Sequence, residues 1–292
     1  MPTITLDEIE RHNPDTLLPP DTEFLEPYWY AVTRGLEEAA ETSVAFVAIC
    51  RNAMPWLPRT LDLVERTGLL FRSWSCFIYE NDSTDGTKDY LENWENLDNT
   101  FASINENGRP HLNYTTDAVR THALAEYRAE CQRVVASGTL GTPDYVIVFD
   151  TDPWGGWSVD GVMNSVGHMA LDSTLYGLAS YSWGEWAPPI TQSVMAVHYD
   201  AFAARLNHWR QRDQNWFHGW HPPVGSPPVE FRSAFGQLAI YRKRQFLQGR
   251  YTGEDCEHVC FHRSIDSRCR LALNPSMRCV SFWVPEELRH GG

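Results

Sequence analysis

Two aspartates one residue apart, Asp150 and Asp152, close the apolar run Tyr145-Val146-Ile147-Val148-Phe149. Paired carboxylates are hard oxygen donors of the kind that hold Mn²⁺ or Mg²⁺, ions that keep several waters and take further contacts from substrate phosphates. Further on, Gly253-Glu254-Asp255-Cys256-Glu257-His258 sets three carboxylates within four positions. Such groups can take a proton from an attacking hydroxyl, and the spacing leaves Asp255, Glu254 and Glu257 as rivals for that task. His258, with His262 as the second choice, adds an imidazole able to join a metal site. The alternation Cys256, His258, Cys260, His262 lacks the separated ligand pairs of structural zinc, so zinc is not expected.

These groups need elements to position them. A Val/Ile/Tyr/Phe run such as 145–149 reads as a strand buried on both sheet faces, with its acids emerging where the strand leaves the core. Residues 43–50 read as an earlier strand of the same kind, followed by Arg51-Asn52 and a helix over 55–67. A second strand at 74–79 runs into the polar loop Glu80-Asn81-Asp82-Ser83-Thr84-Asp85-Gly86-Thr87 and a helix over 88–94, which Ser83, Thr84 and Asp85 can cap. A third strand at 100–106, helices at 115–137 and 159–171, and a strand at 175–182 complete a strand–helix alternation typical of a doubly wound α/β sheet. In such sheets ligands bind beyond the carboxyl ends of the strands, where both acidic motifs fall.

The loop 80–87 resembles the Asp-Asp-x-Ser-x-Asp-Gly-Thr signature of GT-A glycosyltransferases, and a later strand ending in Asp-x-Asp resembles that family's metal motif. The order and spacing agree over residues 43–262. The resemblance implies a GT-A, Rossmann-like, mixed but mostly parallel sheet flanked by helices, and a nucleotide-sugar donor, either a UDP- or a GDP-sugar. It assigns Arg51 and one of Glu80 and Asp82 to the nucleoside, Asp150 to ribose and metal, Asp152 to the metal, and Arg120 to the diphosphate. Phe235-Gly236-Gln237-Leu238-Ala239-Ile240-Tyr241-Arg242 resembles the family's glycine-containing acceptor loop, and Glu254-Asp255 its Glu-Asp motif, whose Asp is the general base in inverting members. By the same resemblance His258 is an additional metal ligand. The loop 80–87 and the later Glu-Asp-Cys-Glu-His-Val run are also similar to fungal capsule mannosyltransferases, which keeps mannose among the candidate sugars.

Residues 183–233 differ in kind, being rich in Trp and His, with three Pro-Pro pairs, a strand expected at 193–197 and a helix at 201–212. Aromatic faces stack on sugar rings and nucleobases alike. This insert is therefore expected to bind the acceptor, with Trp183, Trp186, Trp216 and Trp220, joined by Gly236, as its contacts. The organisation expected is an N-terminal arm at 1–42, a donor half at 43–182, and an acceptor and catalytic half at 183–292 of the same domain. A glycan is the expected acceptor, and a hydroxymethylated base in phage-type DNA the alternative.

Composition narrows the classes. With 42% hydrophobic residues the 292-residue chain can build a substantial core, and it contains no apolar run of membrane-spanning length. A formal charge of −14 opposes non-specific nucleic-acid binding, which depends on Lys and Arg neutralising phosphates. Seven dispersed cysteines read as reduced thiols, and a cytoplasmic protein (host cytoplasm, if phage-encoded) is expected. A nucleotidyltransferase would show a glycine-rich loop after its first strand, whereas Cys50-Arg51-Asn52-Ala53-Met54-Pro55 has none. A non-catalytic carbohydrate-binding protein would have no need of Asp150, Asp152 and Asp255 together.

Overall fold

The computed structural model describes residues 4–94, 99–111, 117–188, 193–207, 216–265 and 268–289. The strands are β1 (Ser43–Cys50), β2 (Ser73–Asn81), β3 (Thr100–Asn105), β4 (Tyr145–Asp150), β5 (Gly156–Trp157), β6 (Leu175–Trp186), β7 (Met195–His198), β8 (Val229–Phe231), β9 (Leu238–Arg242) and β10 (Arg270–Phe282). The helices are α1 (Leu6–Arg11), α2 (Pro14–Leu17), α3 (Leu25–Glu41), α4 (Leu57–Gly68), α5 (Thr87–Trp94), α6 (Ala118–Ser137), α7 (Val159–Leu171), α8 (Lys243–Gln248), α9 (Glu257–Arg263) and α10 (Glu286–Arg289). One sheet runs in the order β3-β2-β1-β4-β9-β6-β10-β5, with β7 beside β6 and β8 beside β10.

The apolar runs form strands because both faces of the sheet are covered. Val44, Phe46 and Ala48 of β1 pack in one layer with α3, α4 and α7, while Ala45 and Val47 pack in the other with α6, α8 and α9. β1 lies parallel to both β2 and β4, in a register that sets Cys50 beside Glu80 and Ile49 beside Asp150. Strand order reverses between β1 and β4, so the chain segments leaving them diverge and open a crevice at their carboxyl ends.

The loop after β2 does more than cap α5. Asp85 accepts from the Thr87 N–H at 3.2 Å and from the Met54 N–H at 3.0 Å. Ser83 Oγ accepts from the Asn52 N–H at 2.9 Å, and the Thr84 N–H donates to Asn52 Oδ1 at 2.8 Å. The loop is thereby stapled to the turn that follows β1, and the two strand ends become one rigid rim.

Two parts of the sheet depart from the sequence expectation. Residues 238–242, expected within an acceptor loop, form a buried strand antiparallel to both β4 and β6. The 13-residue β10, parallel to β6, was not anticipated, because Asn274-Pro275 and Arg278 interrupt its apolar pattern. Those polar groups are satisfied inside: Asn274 Nδ2 donates to Asn164 and Ser165, and Arg278 donates to Asp15, Tyr28 and Ser158. Within the insert, residues 201–207 form a turn, an isolated bridge from Arg205 to Ser233 and a bend where a helix was expected; the remainder of that expected helix, 208–212, lies outside the described residues.

The N-terminal segment packs along the helical layer through α3 and α7. A Cβ on Gly35 would lie 1.7 Å from the Met163 carbonyl oxygen, and one on Gly167 would lie 1.9 Å from that of Ala31, so both positions need the bare backbone. All seven cysteines are free thiols. Among the described residues no helix is long and apolar enough to cross a membrane.

Candidate active site

A cleft of about 580 Å³ opens at the crevice between β1 and β4. Arg51 after β1, Asn81 at the end of β2, Asp150 and Asp152 after β4, Arg120 and Arg128 on α6, and Glu257 and His258 on α9 all line it. Arg109, Asp200 and Phe235 complete the wall. Elements far apart in the chain thus bring four arginines and several carboxylates together in a molecule of net charge −14.

Arg128 is the electrostatic centre. Its side chain is 5% exposed, with Nη2 2.9 Å from Asp150 Oδ1, Nε 3.4 Å from Glu257 Oε1, and the guanidinium over the Phe235 ring at 4.9 Å. Of the basic residues on α6, sequence reasoning favoured Arg120, which lines the cleft two turns nearer the helix start. The signal for Arg128 was its similar face on the helix, and its burial against α9 could not be read from the pattern.

At the rim formed by the ends of β1 and β2, Arg51 lies 3.9 Å from Asp82 Oδ2. Burial alone would raise the Asp82 carboxyl, but hydrogen bonds from Asn81 and the backbone of Gly108 and Arg109, with Arg51 nearby, hold it below its ordinary value. Glu80, the other expected base contact, is fully buried, and its Oε1 accepts from the Ser83 N–H at 2.8 Å. Glu80 therefore supports the loop from beneath, and Asp82, which also does not line the cleft, reaches it only through Arg51.

Asp150 and Asp152 fit a divalent cation by their donor chemistry. Desolvation, opposed by Arg128 and reinforced by the neighbouring Asp152, raises Asp150 to about 7, and desolvation raises Asp152 as well. A bound cation would remove that repulsion. His258 is 2% exposed and stacks on Phe235 at 3.7 Å; its Nε2 lies 3.6 Å from Glu257 Oε1, and among the described residues neither ring nitrogen is hydrogen-bonded. Burial, then Arg128 and His262, depress its pKa well below the ordinary value, so the ring is neutral and keeps a lone pair. His262 is different: Ser233 Oγ is 3.0 Å from its Nδ1 and Tyr241 Oη 2.9 Å from its Nε2, which leaves it no free ring nitrogen. Among the described residues no three His, Cys, Asp or Glu side chains group closely enough to hold a metal ion. A cation on Asp150 and Asp152 would take its remaining oxygens from water and ligand phosphates, as Mn²⁺ and Mg²⁺ commonly do.

The expected base residues separate. Glu257 faces the cleft but is tied to Arg128. Asp255 lies off the cleft wall, where its Oδ1 accepts from Arg205 at 3.4 Å and from the Cys256 N–H at 2.7 Å. Glu254 is exposed, next to the Cys260 thiol. Asp200, which no motif announced, is half-buried in the cleft wall. Its desolvation, then Asp150 nearby, pushes its carboxyl up to about 7.

Of the tryptophans expected on the acceptor, Trp183, Trp186 and Trp220 do not line this cleft. Trp183 is buried near His12, Trp220 packs against Phe217, Phe231 and His198, and Trp186 is 53% exposed beside Met195 on the β6–β7 edge. The side chain of Trp216 lies outside the described residues. Gly236 has φ +65°, and a Cβ there would lie 2.2 Å from the Ser180 carbonyl oxygen. The clearance that Gly236 provides is thus toward the protein's own backbone, while its N–H donates to Asp200 Oδ2 at 3.0 Å.

The sequence matches no family model and no curated protein. Solved structures resemble it in fold. GalNAc-T7 with UDP, GalNAc and Mn²⁺ superposes with a TM-score of 0.51 at 12% identity, covering 84% of this chain and 45% of that one. The fragment TarS 1-349 of S. aureus with UDP gives 0.50 at 12% identity, covering 84% and 62%. The mannosyltransferase PcManGT from Pyrobaculum calidifontis, with GDP-Man and Mn²⁺, gives 0.47 at 16% identity, covering 90% and 65%. The chain thus spans 45 to 65% of the length of these structures. With its mostly parallel sheet and carboxyl-end cleft, it has the GT-A fold found in nucleotide-sugar glycosyltransferases.

Proposed function

We propose that this chain is a metal-dependent glycosyltransferase that moves a sugar from a nucleotide-sugar donor to a hydroxyl group, with a glycan as acceptor. The observation that carries this reading is the Asp150–Asp152 pair at the switch point of the sheet, facing Arg51, Arg109, Arg120 and Arg128 across one cleft. Two carboxylates alone would repel a diphosphate, whereas carboxylates that hold a cation and are surrounded by arginines suit one. Arg51 and Asp82 at the rigid rim would hold the nucleoside, Arg120 the diphosphate, and Asp150 and Asp152 the Mn²⁺ or Mg²⁺ ion. Bound there, the ion would neutralise charge developing on the departing diphosphate. Arg128 holds Asp150 in place, and His258 offers an unpartnered nitrogen for the ion or for a donor-sugar hydroxyl. Solved structures of this fold hold UDP, which makes UDP-sugars the first donors to test, with GDP-mannose next.

The test is a thermal-shift and calorimetric panel of nucleotide sugars with Mn²⁺ or Mg²⁺. One donor should stabilise the protein, and excess chelator should abolish the shift. Undiminished donor affinity in chelator would overturn the metal role, and no response to any nucleotide or nucleotide sugar would overturn the reading as a whole.

A further inference from the structure

The carboxylates that line the cleft have different surroundings. Asp150 and Glu257 share Arg128, Glu126 is bridged to Arg109, and Asp152 belongs with Asp150 to the cation site. Asp200 forms no ion pair with any described residue. Its Oδ2 accepts the Gly236 N–H at 3.0 Å, and its Oδ1 has no hydrogen-bond partner among the described residues. The backbone around this carboxylate is unusual. Asp200 itself has φ 57°, a left-handed conformation that non-glycine residues adopt at a cost, and such positions concentrate at functional sites. Its anchor, Gly236, is also left-handed and is packed so tightly on Ser180 that no side chain fits. Two constrained positions from separate segments thus hold one free carboxylate oxygen in the wall beside Asp150 and Asp152.

We propose that Asp200 is the general base of the transfer reaction, an inference that rests on the glycosyltransferase reading. In a single displacement, the acceptor hydroxyl oxygen bonds to the anomeric carbon as its proton passes to Asp200 Oδ1. The bond from the anomeric carbon to the diphosphate oxygen breaks, and its electron pair leaves with the nucleoside diphosphate. The Gly236 N–H holds one carboxylate oxygen of Asp200 at 3.0 Å, which leaves the other in the cleft wall to take that proton. Asp255, the base expected from the sequence motif, instead turns Oδ1 toward Arg205 and the Cys256 N–H and does not reach the cleft wall.

The experiment compares Asp200→Asn and Asp255→Asn in the full chain. UDP with Mn²⁺ serves as the binding probe in thermal shift, and hydrolysis of UDP-GlcNAc, UDP-GalNAc and GDP-mannose reports turnover, with water as the acceptor. Asp200→Asn should lower kcat by about 10²-fold or more with KM within about twofold, while Asp255→Asn lowers kcat by less than about tenfold. Near wild-type kcat in a folded Asp200→Asn protein overturns the proposal. So does a 10²-fold loss in Asp255→Asn that still binds UDP and Mn²⁺, and that variant decides the matter if Asp200→Asn fails to fold. A wild-type protein that neither binds UDP with Mn²⁺ nor turns over any of the three donors overturns the glycosyltransferase reading itself. Donor turnover unaffected by Asp200→Asn removes only the base assignment.

Discussion

The cleft chemistry turns on single charges and how each is compensated. Folding raises the Asp150 carboxyl from its ordinary value of 3.8 to about 7, so its protonated form is favoured in the unliganded protein. The resulting stabilisation is complete below about pH 4 and is lost as pH rises through about 7. A Mn²⁺ ion held as proposed by Asp150 and Asp152 would act in the opposite sense, because it would need the ionised pair. Its affinity should therefore weaken on acidification from pH 8 to pH 6, as calorimetry would detect; a pH-independent affinity would remove Asp150 from the cation site. Asp152→Ala should weaken UDP binding in Mn²⁺ by more than about tenfold, ~1.4 kcal/mol, with little effect on the melting temperature of the unliganded protein. Arg128 contributes differently, because its removal strands two carboxylates. Arg128→Met should destabilise the fold by about 3 kcal/mol in urea titration, the low end for a broken buried pair because Asp150 keeps some contact with water.

At the scale of elements, the fold depends on contacts that leave no room for side chains. The crossing of α3 and α7 brings Gly35 and Gly167 against opposing backbone, so Gly167→Val should cost roughly 3 kcal/mol of stability in urea unfolding. Wild-type stability in that variant would mean the helices are not in this close contact. The aromatic insert joins the core layer that also holds α6, α8 and α9. Trp220 is half-buried against Phe217, Phe231 and His198. Trp220→Ala should accordingly lose about 2–3 kcal/mol, with UDP affinity in Mn²⁺ within about twofold of wild type. Tryptophan-rich composition marks a binding surface or a packed loop equally well. Which of the two a given ring serves depends on its neighbours, and those come from distant strands.

Across the whole molecule, a net charge of −14 surrounds a cleft that concentrates arginines. With a cation on Asp150 and Asp152 offsetting the cleft's carboxylates, that distribution would favour a small polyanionic ligand inside over a polyanion spread across the surface. A hydroxymethylated DNA duplex should therefore show no retardation in a gel-shift experiment near 100 mM salt. A stable DNA complex would redirect the acceptor search from glycans to DNA. The amino-acid order alone determined the strand–helix alternation, the buried central strands and the position of Asp150 and Asp152 at a strand end. Those features follow from local periodicity and from the runs of apolar residues that a doubly covered sheet requires. It did not determine that Glu80 lies under its loop, that Asp255 faces Arg205, that Arg128 bridges Asp150 and Glu257, or that Asp200 enters the cleft. Nor was β10 legible, since its polar interruptions are compensated by partners more than a hundred residues away. Side-chain direction and ion-pair choice depend on which segments the sheet order brings side by side, and that adjacency exists only in the tertiary structure.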